Sequence, residues 1–182
     1  MSEFEFELIF KLEHEENPEK YLDSLYEAGC DDALIGIASI GYISLNFTTE
    51  ANSAFDAIVG AYKKVLKTIP HARLERAEPD LLNVTELAYE FGYTKQNMRK
   101  YVRGEMATIN NEFPSPAVSG KTSYWHVAEI STWLEKYANM DISIDRQNTF
   151  NCIWGLNQAI ENRRLSNNTL TKSFESMLVN VA

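Results

Sequence analysis

The feature that most restricts how this chain folds lies between residues 83 and 103, where two short helices are written with almost nothing between them. Asn83 stands three residues before Glu86, the spacing at which two side chains satisfy the free N–H groups of a helix start. Val84, Leu87, Ala88 and Phe91 then recur at i, i+3, i+4 and i+7, the apolar stripe of an amphipathic helix. Gly92 supplies the left-handed residue that stops it. Two residues later Thr94 is placed to cap a second helix, in which Met98, Tyr101 and Val102 face inward. Two short helices joined by about three residues with a glycine form a helix-turn-helix unit, and Ala88 is small enough to sit where they cross.

The outer face of the second helix carries chemistry. Gln96, Arg99, Lys100 and Arg103 recur at i, i+3, i+4 and i+7, with Lys95 and Asn97 near the helix start. Arginine pairs bidentately with guanine, glutamine or asparagine with adenine, and lysine or arginine neutralises phosphates. A basic helix face is otherwise a solvated surface. The capped helix before it, the tight turn and Ala88 at the crossing point instead to duplex DNA.

The next stretch adds to this. Phe113-Pro114-Ser115-Pro116 cannot be helical. Ala117-Val118 and Ser123-Tyr124-Trp125 flank the turn residues Ser119-Gly120-Lys121-Thr122, which predicts a short hairpin with Lys121 at its charged tip. A third helix is expected from about residue 127 to 137, burying Val127, Ile130, Leu134 and Tyr137.

Three groups of residues resemble the winged helix of AlpA-type regulators, phage excisionases and the MerR superfamily. They are Leu81-Leu82-Asn83-Val84-Thr85-Glu86-Leu87-Ala88, then Gly92-Tyr93-Thr94-Lys95-Gln96-Asn97-Met98-Arg99, then Phe113-Pro114-Ser115-Pro116 with Gly120, Trp125, Glu129 and Trp133-Leu134. The resemblance covers residues 81–138, about a third of the chain. It implies that residues 94–103 are the recognition helix and 120–124 the wing. Thr94, Lys95, Gln96, Asn97, Arg99, Lys100, Arg103, Lys121, Ser123 and Tyr124 are then the DNA-contacting residues. MerR regulators place this domain first and follow it with a long coiled-coil helix. Here another segment precedes it and about 40 residues follow, so a metal or drug effector of the MerR kind is not implied, and no cofactor is expected.

Net charge is −9, which at first sight opposes a polyanionic partner, but its distribution removes the objection. Residues 1–80 carry 16 acids and 7 bases, residues 81–140 carry 6 of each, and residues 141–182 carry 4 of each. All the excess negative charge lies in the first segment, so local clustering decides what the rest binds.

That first segment reads as a small α+β domain spanning residues 1–79. Phe4, Phe6, Leu8, Phe10 and Leu12 alternate with Glu5, Glu7, Ile9 and Lys11, the period of a half-buried strand. A helix is expected from about residue 18, with Tyr21, Leu22, Leu25 and Tyr26 apolar, to Gly29. Two β-rich runs (33–39 and 42–47) follow, then a long helix from about 50 to 68 burying Phe55, Ile58, Val59, Tyr62, Val65 and Leu66. A strand near 72–77 closes the order β-α-β-β-α-β of the ferredoxin-like arrangement, a topology that hosts many functions. Pro79-Asp80 marks the boundary to a winged domain of residues 80–139. From residue 140 the chain reads as a helical extension. One stripe is Phe150, Ile153, Trp154 and Ile160; the other is Leu170, Phe174, Met177, Leu178 and Val181, with Leu165-Ser166-Asn167-Asn168 as turn and cap. The second stripe is the expected contact of a homodimer reading two half-sites.

Other constellations are weak. His14, His71 and His126 are scattered and none has metal-ligand spacing, so no metal site is expected; His126 reads as a local polar cap or wing contact. Cys30 and Cys152 lack CxxC spacing and read as thiols rather than a disulfide. Cys30 reads as a buried small hydrophobe, and Asp31 and Asp32 as a solvated turn. Phe4, Phe6, Phe10, Tyr42 and Phe47 read as core, because an RNA-stacking sheet needs a basic surface. No Walker loop, GxGxxG, GxSxG or HExxH is present, so no enzymatic activity is expected. The start alternates acid and aromatic, unlike a secretory signal, and no apolar run approaches the ~20 residues of a membrane span. A cytoplasmic protein without a membrane partner is expected. The function expected is a sequence-specific duplex-DNA-binding regulator of bacterial or phage type. The rival readings are an antitoxin-like module whose acidic first domain takes a protein partner, and a regulator whose first domain senses a small molecule.

Overall fold

The computed structural model of the protein describes residues 1–13, 16–30 and 33–165. Strand β1 (Ser2–Lys11) buries Phe4, Phe6, Leu8 and Phe10 on one side. A 3-10 turn (Pro18–Tyr21) capped by Asn17 runs into the short helix α1 (Leu22–Glu27), where a continuous helix was expected. Only Leu25 of α1 is buried, and Tyr26 points to solvent. Strands β2 (Ala33–Ser39) and β3 (Tyr42–Ala51) follow, then helix α2 (Ala54–Thr68) and strand β4 (Arg73–Glu78). The four strands form one sheet in the order β2-β3-β1-β4, every neighbour antiparallel.

Helix α2 starts later than the sequence predicts because β3 keeps pairing with β1 as far as Ala51 opposite Ser2. Ser53 then caps the helix, its Oγ accepting from the Asp56 amide at 3.1 Å. Ala54, Ala57, Ile58, Ala61 and Val65 form the buried face, and the small alanines let the helix lie close to the sheet. Phe55 is accordingly 65% exposed rather than in the core. Val59, Tyr62 and Leu66 are only half-buried. Cys30 is buried in this core as expected; Cys152 is half-buried, and burial pushes its thiol pKa up. The outer sheet face sets Glu3, Glu5 and Glu7 opposite Glu50, Thr48 and Asn46.

One surface carboxylate here is strongly perturbed. The Tyr21 hydroxyl donates to Glu16 at 2.6 Å, with Lys20 at 3.0 Å and His71 at 3.2 Å. These donors, Tyr21 first, hold the Glu16 carboxyl down at about 2. Because the folded-state value is depressed, this contribution is present above the ordinary carboxylate range and is lost as pH falls through about 2. Tyr21→Phe is expected to move the Glu16 titration toward the ordinary value of about 4.3, read by carbon-detected NMR. An unmoved titration would assign the depression to Lys20 and His71 alone.

The second half contains strand β5 (Leu81–Leu82), helices α3 (Val84–Glu90) and α4 (Lys95–Val102), strand β6 (Trp125–His126) and helix α5 (Val127–Ala138). β5 pairs antiparallel with β6. A 21-residue helix, α6 (Ile144–Arg164), then crosses both halves. Its Phe150 lies in the core built by α3, α4 and α5, and its Ile153 lies in the core of the sheet. Residues 140–164 therefore join the two bodies instead of forming a separate extension. Trp154 is partly exposed, its ring 5.5 Å from His126. Among the described residues no helix is long and apolar enough to cross a membrane. His14, Asp31, Asp32 and the expected dimer stripe Leu170, Phe174, Met177, Leu178 and Val181 lie outside the described residues.

Between the two bodies runs a buried polar chain. The Asn157 side chain of α6 accepts from the Ala77 amide at 2.8 Å and donates to the Ala77 carbonyl at 2.9 Å, closing the outer edge of β4. The same Nδ2 donates to Asp80 Oδ2 at 2.7 Å. The other oxygen of Asp80 lies 2.7 Å from His126 Nδ1, and the Asp80 carbonyl accepts from the Val127 amide at 2.8 Å. His126 precedes α5 but makes no side-chain cap bond there; its partner is Asp80.

Candidate nucleic-acid interface

The two-helix unit is held by the devices its sequence supplies. Asn83 Oδ1 accepts from the Thr85 and Glu86 amides at 2.8 and 3.2 Å, and Glu86 accepts from the Asn83 amide at 2.8 Å, a complete capping box. α3 buries Leu87 and Ala88. Gly92 stands at φ +68°, where a side chain would be strained, and the Tyr93 amide returns to the Ala88 carbonyl at 2.8 Å. Thr94 Oγ1 then accepts from the Asn97 amide at 3.1 Å to start α4. Met98 and Tyr101 are buried, with Val102 half-buried. Arg146 of α6 donates to Glu90 at 2.8 Å and to the Glu90 carbonyl, and its guanidinium lies 5.8 Å from the Phe91 ring. A cation at the last turn of α3 complements that helix end.

Behind α4 lies an aromatic cluster. Tyr101, Phe113 and Tyr137 stand 5.8, 5.0 and 5.8 Å from Trp133, all tilted or edge-on. The Trp133 indole donates to the Glu112 carbonyl at 2.8 Å and the Trp125 indole to the Pro114 carbonyl at 2.9 Å. Two indoles thus pin the irregular chain between α4 and the residue 118–124 hairpin. Tyr93 meets Tyr101 at 5.4 Å, and burial, aided by the Tyr101 hydroxyl, pushes its own hydroxyl pKa up to about 12.

The outward face is polar. Thr94, Lys95, Gln96, Arg99, Lys100 and Arg103 are exposed and Asn97 is half-buried. Arg103 ends the helix with Glu105 3.8 Å away. Among the described residues, Lys95, Arg99, Lys100 and Lys121 have no carboxylate within ion-pair distance. Residues 118–124 form a small hairpin in which Val118 and Tyr124 exchange both backbone bonds, at 3.2 and 3.0 Å. Lys121 is exposed in its loop, and Ser123 and Tyr124 are half-buried at its base. The structure brings the seven α4 residues onto one helix and its caps, and places Lys121, Ser123 and Tyr124 together on the hairpin.

Sequence reasoning missed three contributors. Arg146, Asp80 and Asn157 brace the unit from outside residues 81–138. Asn157 had a readable signal, because it breaks the stripe Phe150, Ile153, Ile160 at a position whose neighbours are apolar, the mark of a buried polar group with a partner. Arg146 and Asp80 had none, since their partners are distant in sequence. Among the described residues no group of three or more His, Cys, Asp or Glu side chains is arranged to hold a metal ion. Compared with protein families, with curated proteins and with solved structures, the chain finds no match.

Proposed function

We propose that the protein binds duplex DNA through a winged helix-turn-helix made of β5, α3, α4, the residue 118–124 hairpin and α5, and that it regulates transcription by occupying its site. One observation carries the reading. Of the six bases in residues 81–140, five (Lys95, Arg99, Lys100, Arg103 and Lys121) stand on α4, its C-cap or the wing loop, all exposed. The helix that bears them is anchored from behind by Met98 and Tyr101. A supported helix with a donor-rich outer face fits the major groove, which is about 12 Å wide. The acidic sheet face repels phosphate and disfavours DNA on that surface. The strand order β2-β3-β1-β4 with its two helices supports a ferredoxin-like reading of the first body. Glu3, Glu5 and Glu7 on that sheet favour, as a second reading, a basic protein partner there.

Arg99→Ala and Arg103→Ala are each expected to weaken duplex binding by roughly 1–3 kcal/mol with the melting temperature nearly unchanged, because both side chains are exposed. Gel-shift titration at fixed salt reads the effect. Wild-type affinity in Arg99→Ala places DNA elsewhere.

A further inference from the structure

The sheet has two edges, and the chain treats them differently. The outer edge of β4 is closed by Asn157, which bonds both backbone groups of Ala77. Strand β2 (Ala33–Ser39) forms the other edge. Among the described residues only β3 pairs with it, which leaves a row of backbone donors and acceptors along its outer side. Edges of this kind are ordinarily blunted by charge, by proline or by being short. β2 has seven residues, and residues 33–49 contain no charged side chain and no proline. Leu34 stands on the open sheet face and is 80% exposed. Ala33 and Ile35 lie on the core face and are only half-buried at its rim.

We propose that the β2 edge is the contact of a homodimer, pairing antiparallel with β2 of a second copy to make one continuous sheet with four strands from each. An open edge specifies a strand as its occupant, because only an extended backbone answers its donors and acceptors at their spacing. Three features make that strand a second β2. A two-fold axis sets each residue opposite a near neighbour in the same sequence, so a charged strand would face like charges, and β2 carries none. With the axis at Ile35, each Leu34 falls opposite the partner's Gly36 on the open face, and Ile35 meets its own copy on the core face, which carries the apolar core across the axis. The irregular register between Gly36 and Ser39 leaves this central run regular. Glu3, Glu5 and Glu7 of the two copies stay about 24 Å apart across five strand spacings, well beyond the screening length of about 8 Å in physiological salt. One consequence rests on the DNA-binding reading: the same axis relates two α4 helices and suits an inverted-repeat site.

Sedimentation and amide hydrogen exchange on the full chain without DNA test this, with Leu34→Lys at the axis and Phe174→Asp away from it. Leu34 is exposed, so the lysine sets like charges at the contact without entering the core. The wild type is expected to be a dimer at tens of micromolar, with outward amides of residues 33–37 exchanging at least tenfold slower than after dilution to monomer. Leu34→Lys is expected to raise the dimer dissociation constant at least tenfold with thermal unfolding still cooperative, and Phe174→Asp to remain dimeric. A monomeric wild type at that concentration overturns the proposal, as does exchange at 33–37 that ignores dilution. So does a dimer that Phe174→Asp dissolves and Leu34→Lys leaves intact, which would move the contact to the C-terminal stripe. Neither readout uses DNA, so this proposal and the DNA-binding reading fail separately.

Discussion

Trp133→Ala is expected to remove about 3–5 kcal/mol of folding stability, the usual range for truncating a buried tryptophan, and to abolish duplex binding at temperatures where the wild type is folded. Trp133 is 6% exposed and touches the rings of Tyr101, Phe113 and Tyr137. Tyr101 belongs to α4, so the cavity opens directly under the helix that carries Arg99 and Lys100. The lost indole bond to the Glu112 carbonyl adds less, because a hydrogen bond contributes about 1 kcal/mol net and Glu112 can be rehydrated at the surface. Against a total stability of about 5–15 kcal/mol, the loss is a large share. Trp133→Phe keeps the ring contacts and is expected to cost less than half as much. Urea unfolding measures both variants, and a loss below about 1 kcal/mol in Trp133→Ala would show that the cluster does not support α4. The contrast with Arg99→Ala separates support from contact: one substitution lowers stability and binding together, the other lowers binding alone.

The parts of this architecture that were legible in the sequence are those set by local chemistry. Asn83 with Glu86, Gly92 and Thr94 each act within four residues, so their caps and turn could be read directly, and the structure forms all of them. The alternation in β1 and the hairpin strands were equally local. What was not legible depended on competition between distant groups. Phe55 looks like a core residue by spacing, but β3 pairs to Ala51 and Ser53 takes the cap, which turns Phe55 to water. Residues 140–164 read as an extension because their stripe could not reveal that Phe150 and Ile153 enter different cores. The basic outer face of α4 was visible as a charge pattern. Its support by Arg146 across 56 residues was not.

The seam between the two bodies yields a prediction with an unusual pH signature. Asn157 is 9% exposed and uses both ends of its amide, receiving the Ala77 N–H while donating to the Ala77 carbonyl and to Asp80. Asn157→Asp preserves shape and the acceptor but replaces the donor with an oxygen, placing it where 2.7 Å now separates Nδ2 from Asp80 Oδ2. Two carboxyls at that distance cannot both ionise without a large cost. The folded variant therefore holds a proton that the unfolded chain releases, so its stability is greatest below the ordinary carboxylate range and falls as pH rises. A buried group left without its partner costs about 1–3 kcal/mol, more when charged, so a loss of about 3 kcal/mol or more is expected near pH 7 and a much smaller one near pH 4. Asn157→Leu, which removes the donor without adding charge, is expected to destabilise by a similar amount at neutral pH but with the pH dependence of the wild type. Urea unfolding of both variants across that range distinguishes the outcomes. Parallel stability curves for Asn157→Asp and wild type would mean that water reaches the seam and that Asn157 joins the two bodies through packing alone.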